Sequence, residues 1–349
     1  MTFAHRVVFP AANTVELESF DPGSPGEQDV EVRTTCSLIS PGTEGIVLHR
    51  LFSPDTSWAE YGTLPFHPGY AAVGVIERAG RGVTSLAAGQ VVALRRGHAS
   101  HHVVPASECF PVPSGLQAED AAWFALAWIG FRGFRAARIS LGDDVLVVGA
   151  GPVGQMLLRW SVVGGAARVI VVDPLEGRLS SARSGGASIV IGRGIEEAAA
   201  DITAGSGPPA TSIDTTGNSR VFQSLLRLAP RYGRIVLLGD TGRPEEQRLT
   251  QDVVLKGLTI TGAHDGHERD GWTGRRVTEL FFDLLVSGRF PVDGLITHRF
   301  APQDAAEAYA LTGSHRERTM GVLFDWSLPA RRAAGHGGEA AMGQARGQR

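Results

Sequence analysis

The chain has 349 residues, 43% hydrophobic and 20% charged, with a formal net charge of −3. Two domains sharing an interface suit that length, and the composition is that of an ordinary globular protein with no basic field to attract nucleic acid. No apolar run approaches the roughly 18 residues of a membrane span, and the N-terminus MTFAHRVVFPAANTVELESF lacks a basic stretch followed by an apolar one, so neither a membrane nor export is expected and the location is expected to be cytoplasmic.

Short β-type runs such as VEVRTT and AAVGVIERAG, separated by Pro and Gly turns, predict a compact β-rich module over residues 1–116. From about Gln117 the texture changes. EDAAWFALAWIGFRGFRAAR has apolar residues at helical spacing, and DDVLVVGAG is a short buried strand ending in glycines. The pattern continues as helix (PVGQMLLRWSVVGGA), strand (RVIVVDP), helix (EGRLSSARSGG) and strands SIVIG and TSIDTTG. Helix RVFQSLLRLAPR and strands GRIVLLGD and GLTITGA complete it. Strands alternating with helices predict an α/β domain over 117–262, a parallel sheet wound on both faces. A further segment over 263–326 contains helix WTGRRVTELFFDLLVSG, strand LITHRFA, helix PQDAAEAYALTG and strand TMGVLFDW. Residues 327–349, rich in Ala, Gly and Arg, are expected to be a disordered tail. The two cysteines, Cys36 and Cys109, have no CxxC spacing and read as buried thiols.

VLVVGAGPVG carries the strongest chemical signal. A buried strand runs into Gly149-x-Gly151-x-x-Gly154 and directly into a helix that starts with Pro152 and Val153. Gly149 allows the tight turn, Gly151 lets backbone approach a pyrophosphate, and Gly154 lets helix and strand pack closely, while the helix N-terminus offers N–H groups to phosphate. Asp173 ends the next strand, where a carboxylate accepts the ribose hydroxyls of an adenosine. A 2′-phosphate there would meet like charge, and Pro174 follows rather than an arginine. NAD(H) is therefore expected over NADP(H), a preference that Arg178, five residues on, could soften. Thr216 in DTTGN and Gly239 in LLGD follow later strands on the same sheet edge and are expected to line the nicotinamide half.

The β-rich module, GxGxxG with its acid, D-x-TG, GRIVLLG and the returning ITHRF segment together resemble the medium-chain dehydrogenase/reductase superfamily, zinc alcohol dehydrogenase type, over about residues 5–326. The resemblance implies a GroES-like substrate domain, a Rossmann domain, a small-molecule substrate in the cleft between them, a C-terminal segment returning to the substrate domain, and commonly a dimer. LKGLTITGAHD resembles the strand through which such dimers join, and its alternating Leu258, Ile260 and Gly262 suit edge pairing. Zinc members of the family hold the catalytic metal on a Cys, a His and a third Cys or Glu. Here TTCSLISPGTEG puts Ser40 or Pro41 at the first place and GYAAVG puts Tyr70 at the second. The third falls near Ala125. The four-cysteine lobe is replaced by RRGHASHHVVPASECF. Neither catalytic nor structural zinc is expected, and SLISPGTE with GY resembles a zinc-less branch that includes the bacteriochlorophyllide hydroxyethyl dehydrogenase.

If hydride transfer proceeds without zinc, another group must handle the alcohol oxygen. Tyr70 can donate a hydrogen bond or a proton to it. Thr43 matches the family's proton-relaying Ser/Thr, Glu44 its adjacent acid, and Ser40 adds a second hydroxyl. Tyr70 as a space-filling aromatic, and Thr43 and Glu44 as a plain turn after Pro41-Gly42, are the bland alternatives. His98, His101 and His102 read as exposed rather than metal-binding, His67 as a solvated loop residue, and His264 and His267 have no readable role. The expected function is a zinc-independent, NAD(H)-dependent interconversion of a secondary alcohol and a ketone on a bulky biosynthetic metabolite. NAD(P)H-dependent reduction of an activated C=C bond, as in enoyl and quinone reductases, and nicotinamide binding without turnover are the alternatives.

Overall fold

In the computed structural model, residues 4–204 and 207–329 are described. The first part is built from β1 (Ala4–Val8), β2 (Glu16–Phe20), β3 (Asp29–Leu38), α1 (Pro41–Leu48), α2 (Ser57–Tyr61), β4 (Ala72–Ala79), β5 (Val91–Leu94), β6 (His101–Pro105) and β7 (Cys109–Pro111). β1 and β2 pair alone, whereas β3 organises a seven-stranded sheet. It pairs with β6 over its first half and with β4 along most of its length. Val30, Val32, Ile76, Val92, Leu94 and Val104 close one apolar cluster beneath this sheet. Burying side chains of this size stabilises by roughly 1.5–3 kcal/mol each.

The module also contains two helices, where only strands are expected from its sequence. α1 starts at Pro41, whose missing N–H is one that a first helical turn leaves unpaired anyway. Glu44 then reaches back to accept the Ser40 N–H (2.7 Å), turning the Pro-Gly turn into a helix start.

The second part comprises α3 (Ala118–Ala121), α4 (Phe124–Ala137), β8 (Asp144–Val148), α5 (Pro152–Val163), β9 (Arg168–Val172), α6 (Glu176–Ser184) and β10 (Ile189–Ile191). It continues with α7 (Ile195–Thr203), β11 (Thr211–Asp214), α8 (Ser219–Leu228), β12 (Arg234–Leu237), α9 (Asp252–Lys256) and β13 (Thr259–Gly262). Its six strands are all parallel, in the order β10-β9-β8-β11-β12-β13. The chain reverses its direction of winding between β8 and β11, which is where doubly wound sheets open a ligand crevice. β13 lies at the sheet's edge.

α10 (Gly274–Val286), β14 (Ile296–Phe300), α11 (Ala305–Ser314) and β15 (Gly321–Asp325) follow. β15 pairs antiparallel with β3 and parallel with β14, so the last strands complete the sheet begun by the first. The largest apolar cluster spans both parts, with Leu38 and Val73 from the seven-stranded sheet, Trp123 and Phe131 from the α4 region, Trp160 from α5, and Phe281 from α10. The tail expected over 327–349 lies outside the described residues beyond Pro329. Among the described residues no helix is long and apolar enough to cross a membrane.

Candidate active site

The glycine turn between β8 and α5 is shaped by contacts that exclude side chains. Gly149 has φ +94°, and a Cβ there would stand 2.5 Å from Thr215 Oγ1 and 2.8 Å from Thr216 Cγ2. At Gly154 a Cβ would lie 2.0 Å from the Gly149 carbonyl oxygen, so helix and strand touch backbone to backbone. Gly151 is different, because its nearest neighbour is the Arg178 guanidinium at 3.5 Å and the space before it is open. The first intrahelical bond of α5 is Gln155 N–H to Gly151 C=O (2.9 Å), which leaves the Val153 and Gly154 N–H groups ahead of it and Pro152 with none to lose. This cradle fits the pyrophosphate of a dinucleotide.

Asp173 is nearly fully buried at the end of β9. Its Oδ2 accepts the Ala150 N–H (2.8 Å) and its Oδ1 the Leu175 N–H (2.9 Å), which ties the glycine turn to the next strand. Arg178 folds back over this corner, with Nη1 at 3.6 Å from Asp173 Oδ2 and Nε buried without a partner. Burial pulls the Arg178 pKa down against the attraction of Asp173. Across the crevice, Thr216 donates its N–H and hydroxyl to Asp214 Oδ1 (2.7 and 2.6 Å). A Cβ on Gly239 would fall 2.5 Å from the Gly217 nitrogen, so the loops after β11 and β12 pack directly on each other. The structure thus gathers the residues expected to hold the cofactor at one edge of one sheet.

The four expected catalytic residues also converge, around the start of α1. The Tyr70 hydroxyl donates to Ser40 Oγ at 2.5 Å. Burial pushes the phenol up to about 12, with Ser40 and Thr43 pulling the other way, so the group is a proton-bearing donor at neutral pH. Glu44 is buried. Its Oε1 accepts the Ser40 N–H, while Oε2 accepts the Tyr309 hydroxyl and faces His98 Nε2 at 3.1 Å. His98 Nε2 donates to Glu44, which as a carboxylate can only accept, and Nδ1 meets at 2.8 Å the Ser37 Oγ that also accepts the Trp326 indole N–H (3.1 Å). Gly69 has φ +97°, and a Cβ there would stand 2.8 Å from the His98 ring, so the buried histidine leaves room only for glycine.

This corrects the expectation that His98, His101 and His102 are exposed. His98 and His102 are buried, and burial drives the His102 pKa down to about 3. The extended strand β6 explains it, since His102 points inward and its neighbour His101 does not. His67 does lie at the surface, against Glu18 (3.1 Å), and His264 meets the Asp265 carboxylate at 3.1 Å.

Sequence reasoning missed Arg95, Trp128, Asp265 and Tyr309. The Arg95 guanidinium stands 5.1 Å from the Tyr70 ring centre and 4.8 Å from that of Trp128, and pairs with Asp265 (2.6 Å). Burial raises the Asp265 pKa, but Arg95 outweighs it and holds the carboxyl below its usual range. Four distant segments supply these residues, and none carries a local motif.

A tetrahedral zinc needs three nitrogen, sulfur or carboxylate donors. The three places that the sequence resemblance assigns to zinc ligands carry Ser40 or Pro41, the Tyr70 phenol and, near the third, fully buried Ala125. Among the described residues no group of three or more His, Cys, Asp or Glu is placed to hold a metal. Cys36 and Cys109 are both buried, and burial raises the pKa of each thiol. Ser40, Tyr70 and Ala125 do not supply such a set of donors.

The zinc-binding dehydrogenase family model matches residues 152–278. The chain is 28% identical to the L-threonine 3-dehydrogenase of Anaeromyxobacter dehalogenans over 87% of its own length and 92% of the relative's. A zinc-binding dehydrogenase of Sinorhizobium meliloti bound to NADP superposes with a TM-score of 0.79 at 19% identity, covering 93% of this chain and 100% of that one. An Escherichia coli alcohol dehydrogenase complexed with NADH gives 0.78 at 21%, with the same coverage. The chain is thus similar to zinc-type alcohol dehydrogenase-like proteins of the medium-chain dehydrogenase/reductase superfamily, and it is an oxidoreductase.

Proposed function

We propose that this protein is a zinc-independent, NAD(H)-dependent cytoplasmic dehydrogenase that interconverts a secondary alcohol and a ketone on a bulky biosynthetic metabolite. The observation that carries the reading is the Tyr70–Ser40 hydroxyl pair at 2.5 Å, two residues that the sequence resemblance aligns with metal-ligand positions. The nicotinamide cofactor supplies the hydride acceptor or donor when bound. The chain's own groups deal with the oxygen. In the reducing direction Tyr70 donates its proton to the carbonyl oxygen and is resupplied through the hydroxyl of Ser40 or Thr43; oxidation reverses the relay. Glu44 holds the Ser40 backbone and so aims the relay.

Asp173 supports NAD(H) over NADP(H), because a buried carboxylate meets the ribose where a 2′-phosphate would be repelled. The solution partner is a second copy joined across β13, whose outer side is unpaired. One observation also favours C=C reduction: the Tyr70 and Ser40 hydroxyls stand together as neutral donors, and a conjugated carbonyl oxygen needs only hydrogen bonds while hydride adds to the alkene.

Single-turnover oxidation of NADH separates these readings, using each saturated ketone beside its α,β-unsaturated analogue, in wild type and Tyr70→Phe. Consumption with ketones that falls by about 10²-fold or more in the variant is expected. Turnover confined to the unsaturated partner moves the assignment to C=C reduction. NADH binding with no turnover of either leaves a binding protein.

A further inference from the structure

We infer that a cavity beside Tyr70 is an anion-selective subsite that takes a planar aromatic carboxylate, the far part of the substrate, with Arg95 as its selecting group. This rests on reading the cleft as the substrate site. The cavity has a volume of about 340 Å³, ample for a bicyclic ring system. Phe110 and Trp128 form two of its walls, edge to face with ring centres 6.4 Å apart. Each wall carries a guanidinium, Arg95 over Trp128 at 4.8 Å and Arg275 over Phe110 at 5.1 Å. A flat anion entering this space meets the two aromatic side chains and the guanidiniums held over them, of which Arg95 is the less exposed.

The charges around the cavity are not all committed alike. Glu108 is paired with Arg96, and Glu268 accepts the Gly274 N–H (2.8 Å) with Arg132 Nη2 at 3.7 Å, so each cavity acid has its own partner. Arg275 donates to two neutral carbonyls, those of Ser107 (2.6 Å) and Cys109 (3.0 Å), and its nearest carboxylate, Glu279, is at 3.8 Å. Among the described residues, Arg95 commits one N–H, to Asp265, and its guanidinium lines the cavity with further donors left over. A substrate carboxylate can bind those donors bidentately while Asp265 holds the guanidinium.

The position selects as well as binds. Arg95 stands 5.1 Å from the centre of the Tyr70 ring and also lines the cavity, so one guanidinium borders both the subsite and the tyrosine. A substrate anchored there presents a carbinol or carbonyl carbon to Tyr70 about one ring system from its carboxylate. Neutral secondary alcohols of the same shape lose that anchor.

Isothermal titration of 2-naphthoate and its uncharged isostere 2-naphthamide tests this, in wild type, Arg95→Gln, Arg95→Lys and Tyr70→Phe, with melting midpoints as the folding control. Wild type is expected to bind the carboxylate about tenfold tighter than the amide, the discrimination of one charge-assisted bond. Arg95→Gln should bring the two within about twofold, Arg95→Lys should keep part of the preference, and Tyr70→Phe should leave it unchanged. Equal affinities in wild type, no binding of either probe, or a preference surviving in a folded Arg95→Gln protein would each overturn the proposal. Neither probe carries a ketone, so the result stands apart from whether Tyr70 supports hydride transfer.

Discussion

Asp214 shows how one side chain at the crevice works against stability. It is fully buried at the end of β11, with Oδ1 engaged by Thr216 and Oδ2 without a partner. Burial pushes its carboxyl up to about 6, with Thr216 opposing. An unfolded Asp titrates near 3.9, so the folded protein holds this proton more tightly. The resulting stability is present below about pH 4 and is lost as the pH rises through 6. Asp214→Asn removes the charge and keeps the acceptor for Thr216. Its melting temperature at pH 7.5 should rise by about 2–4 °C, allowing for a newly buried amide N–H, and the gain should disappear below about pH 4. A loss at neutral pH with an unchanged pH profile would contradict this. The residues of the crevice differ in how far they could be read beforehand. Gly149, Gly151, Gly154 and Asp173 lie within 25 positions and each has a geometric job, so their spacing is informative. The Glu44–His98–Tyr309 contact joins positions 54 and 265 residues apart, and no local pattern marks a histidine that will be buried against a carboxylate.

At the scale of elements, the β8–α5 turn separates two roles of glycine. Gly154→Ala forces a methyl to within 2.0 Å of a carbonyl oxygen, so α5 must move off β8 and both melting temperature and NADH affinity should fall. Gly151→Ala meets only the flexible Arg178 end at 3.5 Å, so the fold should survive while NADH affinity, read by fluorescence titration, drops by about tenfold or more. Equal effects of the two substitutions on stability would show that the turn is not divided this way. The same elements show where periodicity stops informing. The strong strand–helix alternation of the parallel sheet is readable because each element is long enough to repeat its apolar face. α7 is not anticipated, although Ile195, Ala198 and Ile202 form its buried stripe, because nine residues between glycine-rich stretches give one weak repeat. α9, at five residues, is below any period, and α1 depends on the back-bond from Glu44 rather than on an apolar stripe.

For the whole molecule, the question is what covers the edge of the parallel sheet. The order of the six strands ends at β13, so one side of Thr259–Gly262 pairs with no strand among the described residues. The chain just before it is apolar and uncovered, with Val254 at 84% and Leu255 at 64% exposure on α9. Tyr232, 81% exposed, bonds through its N–H to the Lys256 carbonyl and so sits beside the same corner. The proposed second copy, related by a two-fold axis, would pair β13 with its own counterpart and would cover these side chains in one step, as an isologous interface requires. No such logic applies to the seven-stranded sheet, which β14 and β15 extend from the far end of the chain, a closure that resemblance suggests and periodicity alone does not. The wild-type protein should sediment at twice the 37.0 kDa chain mass. Val254→Asp combined with Leu255→Asp places two like charges against their copies across the axis and should give a folded monomer at micromolar concentration, with its circular dichroism unchanged. A double variant that remains dimeric would move the interface away from β13, and a monomeric wild type would leave this edge open in solution, with the exposed α9 side chains then needing a different partner.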